Sequence, residues 1–247
     1  MILLMMQNYS INSNLLKEVK ALVISFCKLC IALTFSVTCL AGTSKNKCIR
    51  AFAALSQPSP QILGTGSMGR VYKILNLATS NFETHKIYIS NKGWREYNKL
   101  TTFEIATVEG NILEQLNLIM RKLKLKTNTP RVLRTNPENN LGLTDNLGQK
   151  AATLVSEYIE ARPYLDFIED TRVSSEKKSI INLQLIKEMK ALAKEINGDL
   201  MIHDDPGYPF TLDHSRFKVK GKTFEISIEP EGLIVTKDLE VYIIDPI

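Results

Sequence analysis

The sequence predicts a mixed α+β chain, and three features of its patterning carry that prediction. Short runs with period-two alternation of apolar residues recur from Ile62 onward, bounded by glycine, asparagine and aspartate. Two longer stretches carry apolar residues at helical spacing instead. Their order is a β-rich half with one helix, then a second helix, then terminal hairpins, which fits segregated rather than alternating elements.

Residues 51–61, with two prolines, read as a linker. "QILGTGSMGRVYKILNL" and "HKIYIS" come next as strands. Residues 103–125 predict a helix from Ile105, Val108, Ile112, Leu113, Leu116 and Ile119 or Met120. "TLVSEYIEARPYLDFI" reads as a strand, a connection and a short helix. "SIINLQLIKEMKALAKEI" is the clearest helix, stopped by Asn197-Gly198. "FKVKGKTFEISI" and "GLIVTKDLEVYIIDPI" predict two hairpins, the second turning at Lys237-Asp238.

At 247 residues and 44% hydrophobic content the chain can bury a sizeable core. A net charge of +5, without cations clustered among aromatics, argues against nucleic-acid binding. The four cysteines are Cys27, Cys30, Cys39 and Cys48, so residues 49–247 can form neither an internal disulfide nor a thiolate zinc site. Cys27 and Cys30 read as apolar filler rather than a redox pair.

Residues 1–50 carry the apolar stretch 21–42, split by Lys28. It reads as a signal peptide with Lys17, Lys20 and Lys28 ahead of a small-residue cleavage site, or as a marginal membrane anchor. A buried helix is the third reading. For an anchor, Lys45, Lys47 and Arg50 place the C-terminal domain on the cytoplasmic face. The expectation is membrane association or export.

The stretch "GTGSMGRVYKI" holds Gly64, Gly66 and Gly69. A dinucleotide-binding loop would open a helix after the third glycine, and a Walker loop would end in Gly-Lys-Ser/Thr. Here a β-branched and aromatic run comes after it, with Val71 two residues on, so the reading is strand, glycine turn, strand. That GxGxxGxV pattern resembles the loop over the ATP phosphates in the protein-kinase-like superfamily. The resemblance implies a bilobal fold: a β-rich N-lobe over about 55–160 and a reduced C-lobe over 161–247.

Further residues resemble the family's motifs. Lys86, on a predicted strand 22 residues after Gly64, matches its phosphate-holding lysine, with Lys92 as fallback. Glu109 in "VEGNILEQL" matches the helix carboxylate that orients that lysine. Glu157-Tyr158-Ile159 resembles the linker whose main chain at Glu157 and Ile159 bonds adenine.

His203-Asp204-Asp205 after the second helix resembles His-Arg-Asp, which makes Asp205 the expected proton acceptor. Phe210 stands at the family's metal-binding asparagine, with Asp213 as a substitute. A competing register runs through Pro230-Glu231-Gly232-Leu233; it puts Ser227 at the base and Gly232 at the asparagine. Both registers make Asp245, after the apolar "VYII", the magnesium ligand, although Pro246 and Ile247 replace the family's Phe-Gly.

The resemblance implies ATP and Mg²⁺ as cofactors and γ-phosphoryl transfer to a protein Ser/Thr hydroxyl. A catalytically dead nucleotide-binding or interaction module, and a small-molecule phosphotransferase of the aminoglycoside or choline kinase type, remain alternatives. The basic run "MRKLKLKTNTPRVLR" reads as a helix C-terminus and solvated loop, or as a surface for an acidic protein or phospholipid.

Overall fold

The computed structural model describes residues 59–66, 68–90, 100–136, 143–145 and 148–246. The apolar stretch 21–42, its cysteines, most of the linker 51–61 and Lys92 lie outside the described residues. Among the described residues there are three antiparallel sheets and three α-helices.

The first sheet has the order β1-β2-β3-β5-β4, from β1 (Gln61–Thr65), β2 (Gly69–Asn76), β3 (Asn81–Tyr88), β4 (Val132–Thr135) and β5 (Ala152–Glu157). Asn76 closes the β2–β3 hairpin: its side-chain oxygen accepts the N–H groups of Ala78 (2.9 Å) and Thr79 (3.3 Å). Register then sets Lys86 opposite both Val71 and Leu154.

Helix α1 (Thr102–Leu123) packs on β4 and β5. It starts in a reciprocal cap, where Thr101 Oγ1 accepts the Glu104 N–H (3.2 Å) and Glu104 Oε2 accepts the Thr101 N–H (2.9 Å). Its buried face holds Ile105, Val108, Ile112, Leu113, Leu116 and Met120, the expected stripe, with Glu109 among them. Lys124 stops it in the left-handed conformation.

After β5 come β6 (Ala161–Pro163), α2 (Tyr164–Glu169) and α3 (Ser175–Ile196). Ser174 caps α3, and Asn197 ends it at φ 52°, where the sequence predicts the stop. Its apolar face, Ile181, Leu185, Met189, Leu192 and Ile196, joins α1, β5, β8, β9, β10 and β11 in one core.

β7 (Asp199–Ile202), β8 (Phe210–Val219) and β9 (Lys222–Ile228) form the second sheet; β8 and β9 turn at Lys220-Gly221, both at positive φ. β10 (Leu233–Thr236) and β11 (Val241–Ile243) join β6 in the third, in the order β11-β10-β6. The long β8 differs from the sequence expectation. Strand character begins at Phe210 and pairs back onto β7, so His203–Pro209 is the turn of a hairpin. No described helix is long and apolar enough to cross a membrane.

Candidate functional site

Glu109 is fully buried on the apolar face of α1, a position where a lone carboxylate would be costly. Its partners compensate. Lys86 Nζ donates to both oxygens, at 2.8 and 2.9 Å, and the Tyr88 hydroxyl donates to Oε2 at 2.6 Å. Lys86 and Tyr88 are two residues apart on β3, so strand alternation presents both to the same side. The lysine also reaches Asp245 Oδ1 at 3.2 Å, 159 residues away in sequence.

The electrostatics derive from that bridge. Burial would lower the Lys86 ammonium, but Asp245 and Glu109 outweigh it and hold the ammonium above the ordinary lysine range. Burial pushes the Glu109 carboxyl up, against the pull of Lys86 and of the Tyr88 hydroxyl. Only 15% of the Lys86 side chain is exposed, against 47% for Asp245, which therefore offers its carboxylate to solvent.

These groups form one end of a cavity of about 250 Å³. Val71 and Leu63 from the first sheet and Ile234 from the third line it, with Leu154, Ile244 and the linker residues Glu157, Tyr158 and Ile159. Gly64 lines the mouth. The site is therefore a narrow apolar slot with a cation flanked by two carboxylates at one end. A larger groove of about 630 Å³ lies beyond the linker, lined by Phe167, Val173 and Tyr242 among others. Its Arg162 and Arg172 both bond Asp170.

The three glycines differ in what they do. A Cβ on Gly64 or Gly66 meets nothing within 4 Å, so both leave open space, and the Gly66 N–H donates to Gly69 O at 2.9 Å to close the turn. Gly69 does not line the cavity. A Cβ there would stand 2.2 Å from the Ile87 carbonyl, so this glycine lets β2 lie against β3.

The linker is set by Arg131: its carbonyl accepts the Glu157 N–H (3.0 Å) and its N–H donates to Glu157 Oε1 (2.9 Å). One oxygen of the Glu157 carboxylate is thus engaged at the cavity edge. Lys73 lies between the rings of Phe82 and Tyr158, at 4.3 and 4.1 Å from their centroids, and ties β2 to the linker.

Asp205, the expected proton acceptor, is not among the residues that line the cavity. Its Oδ1 accepts the Gly207 N–H (2.8 Å) and its carbonyl the Tyr208 N–H (3.1 Å), so it anchors the β7–β8 turn. The cause is the β8–β9 hairpin, which intervenes before the chain returns to Asp245. His203 bonds Thr211 across the same turn, at 3.0 Å. Phe210 is fully buried, and Asp213 lies in β8 opposite Asp199, outside the cavity.

What adjoins Asp245 is the 3-10 turn Pro230–Gly232 of the competing register. The Gly232 carbonyl accepts the Ile244 N–H at 2.8 Å and the Asp245 N–H at 3.3 Å. A Cβ on Gly232 would come within 2.2 Å of Asp245 O. Gly232→Ala is accordingly expected to cost about 1–3 kcal/mol in urea unfolding and to displace Asp245. Ser227 is buried and donates to Glu229 Oε1 at 3.2 Å. Burial and the nearby Glu229 carboxylate push the Tyr208 hydroxyl up, which puts the two turns near one another.

Tyr88 and the apolar walls Leu63, Leu154, Ile234 and Ile244 are absent from the residues that the sequence motifs single out. Alternation from Lys86 could have found Tyr88; the walls come from strands distant in sequence. Among the described residues no group of three His, Cys, Asp or Glu side chains is arranged to hold a metal ion. A scan against protein-family models and a search of curated proteins each return no match.

Proposed function

We propose that this chain is a protein-kinase-like phosphotransferase, with a reduced C-lobe, that binds ATP with Mg²⁺ in the cavity and transfers the γ-phosphoryl group to a protein Ser/Thr hydroxyl. The observation that carries the reading is Lys86 bridging Glu109 and Asp245 at the end of a slot beneath the glycine turn. The apolar walls suit a flat purine, and the main chain of Glu157–Ile159 offers it a hydrogen-bonding edge. Lys86, held in place by Glu109 and Tyr88, is a preoriented positive charge for phosphate oxygens. The open space at Gly64 and Gly66 leaves room for an anion to come close to the turn.

Asp245 fits a magnesium ion shared with phosphates, since Mg²⁺ takes one or two carboxylates and completes its shell from phosphate and water. Asp245 would hold the ion there, and the chemistry it would supply is charge neutralisation for phosphoryl transfer. Gly232, beside Asp245, adds no side-chain ligand, so the half-exposed carboxylate of Asp245 would hold the metal without help from that position.

A second reading, nucleotide binding without turnover, is favoured by one observation: Asp205 anchors a neighbouring turn, and among the described residues no exposed carboxylate other than Asp245 faces Lys86. Incubation with γ-labelled ATP and a hydroxyl acceptor protein, in wild type, Asp205→Ala and Asp245→Asn, separates the two. Transfer in wild type, lost in Asp245→Asn, supports the kinase. Absence of transfer in wild type while an ATP analogue still binds supports the second reading. Neither binding nor transfer removes both.

A further inference from the structure

The functional site leaves one feature of the surface unused. The basic run after α1 and the outer face of α3 are far apart in sequence, yet two contacts join them. Lys122 Nζ bonds Glu195 Oε1 at 2.6 Å, and Glu188 accepts the main-chain N–H groups of Lys126 (3.0 Å) and Thr127 (2.8 Å). Lys122, Lys124 and Lys126 therefore end beside α3.

On α3 itself, Ile180, Leu183, Lys187, Lys190 and Lys194 recur at intervals of three and four and are all exposed, so they form one stripe opposite the core face. The two carboxylates at the junction are both engaged, Glu188 as a cap and Glu195 with Lys122. The result is six lysines over two adjoining elements.

Large apolar side chains stand among them. Leu118 is 66% exposed, Leu183 68% and Ile180 52%. None of these residues lines either cavity. Lysines on flexible stems around protruding leucines, on a surface away from both cavities, match a fluid sheet of anions better than the fixed geometry of a protein partner. The sequence adds a second argument, because the apolar stretch 21–42 ahead of Ser59 is of a kind that works at a bilayer.

We infer that the α1 C-terminal end and the outer face of α3 form a docking surface for anionic phospholipid, the lysines meeting headgroups and Leu118, Ile180 and Leu183 entering the interface. The surface is independent of the nucleotide reading: neither Lys86 nor Asp245 contributes.

The test is co-sedimentation of the full chain with vesicles of phosphatidylcholine alone and of phosphatidylcholine mixed with phosphatidylserine. Lys17, Lys20, Lys28, Lys45, Lys47 and Arg50 in and around residues 21–42 would favour anionic vesicles as well, so the difference between wild type and the variants below reads the patch. Wild type is expected to prefer the anionic vesicles, and raised salt to abolish the preference. The triple variant Lys187→Gln, Lys190→Gln, Lys194→Gln is expected to lose about a hundredfold in affinity for them. Leu183→Ser is expected to weaken binding to the anionic vesicles.

Equal partition of wild type onto both vesicles overturns the proposal, as does a triple variant that keeps its preference. Binding to poly-glutamate without preference for phosphatidylserine also overturns it, and assigns the face to an acidic protein. Should the triple variant fail to fold, the exposed single substitutions Lys187→Gln and Lys190→Gln decide: each is expected to lower affinity for the anionic vesicles several-fold, and unchanged affinity in both overturns the proposal.

Discussion

Lys86→Met is expected to lower affinity for an ATP analogue with magnesium about a hundredfold while leaving the fold intact. The loss comes from removing the cation that the cavity directs at phosphate, a truncation worth about 3 kcal/mol when the charge is buried and hydrogen-bonded. The fold survives because Glu109, left without its lysine, can take up a proton. Burial already pushes its carboxyl above the ordinary value, and the chief opposing charge is gone. A carboxyl raised in the folded state favours folding most below the unfolded value near 4.5 and loses that advantage as pH rises. The variant should therefore approach wild-type stability in mild acid and fall behind it toward neutral and alkaline pH. Titration calorimetry and urea melts across pH check both halves. Unchanged nucleotide affinity would remove Lys86 from the site.

Glu109→Leu is expected to do the reverse, damaging the fold more than any other single change at the site. The lysine, mostly buried, would keep only the half-exposed Asp245, and the Tyr88 hydroxyl would lose its acceptor on Glu109. Breaking a buried pair from one side costs about 3–5 kcal/mol, which in a domain of this size lowers the melting temperature by about 10 °C. A loss below about 1 kcal/mol would place the pair with exposed salt bridges, which contribute little. The asymmetry between the two variants is itself informative: burial raises the Glu109 carboxyl toward its neutral form, whereas the Lys86 ammonium is held charged.

Much of this arrangement was legible in the residues. The stripe of α1 and its cap, the stop of α3 at Asn197, and the two terminal hairpins come from local periodicity and turn chemistry. The pairing of Lys86 with Glu109 was readable through the resemblance of the strand lysine and of "VEGNILEQL" to the family's motifs. What local pattern could not supply was the path between Asp205 and Asp245. Phe210 to Arg216, ahead of the predicted hairpin, reads equally as loop or strand until β7 is present to pair with it. The apparent continuity from a long helix to His203-Asp204-Asp205 therefore hid a hairpin that carries the chain away from the cavity. The neighbour of Asp245 depended on Gly232, whose role is a close main-chain approach invisible in a sequence. Gly69 shows the same limit: its spacing matches a phosphate loop, while its local necessity is contact with Ile87.

The most direct test of the central claim is a crystal structure with magnesium and a non-hydrolysable ATP analogue. The account predicts the purine between Val71 and Ile234, triphosphate oxygens on Lys86 beneath the turn at Gly64 and Gly66, and the metal on Asp245. A nucleotide seated elsewhere, or a metal held by other carboxylates with Asp245 still turned to Lys86, would contradict it.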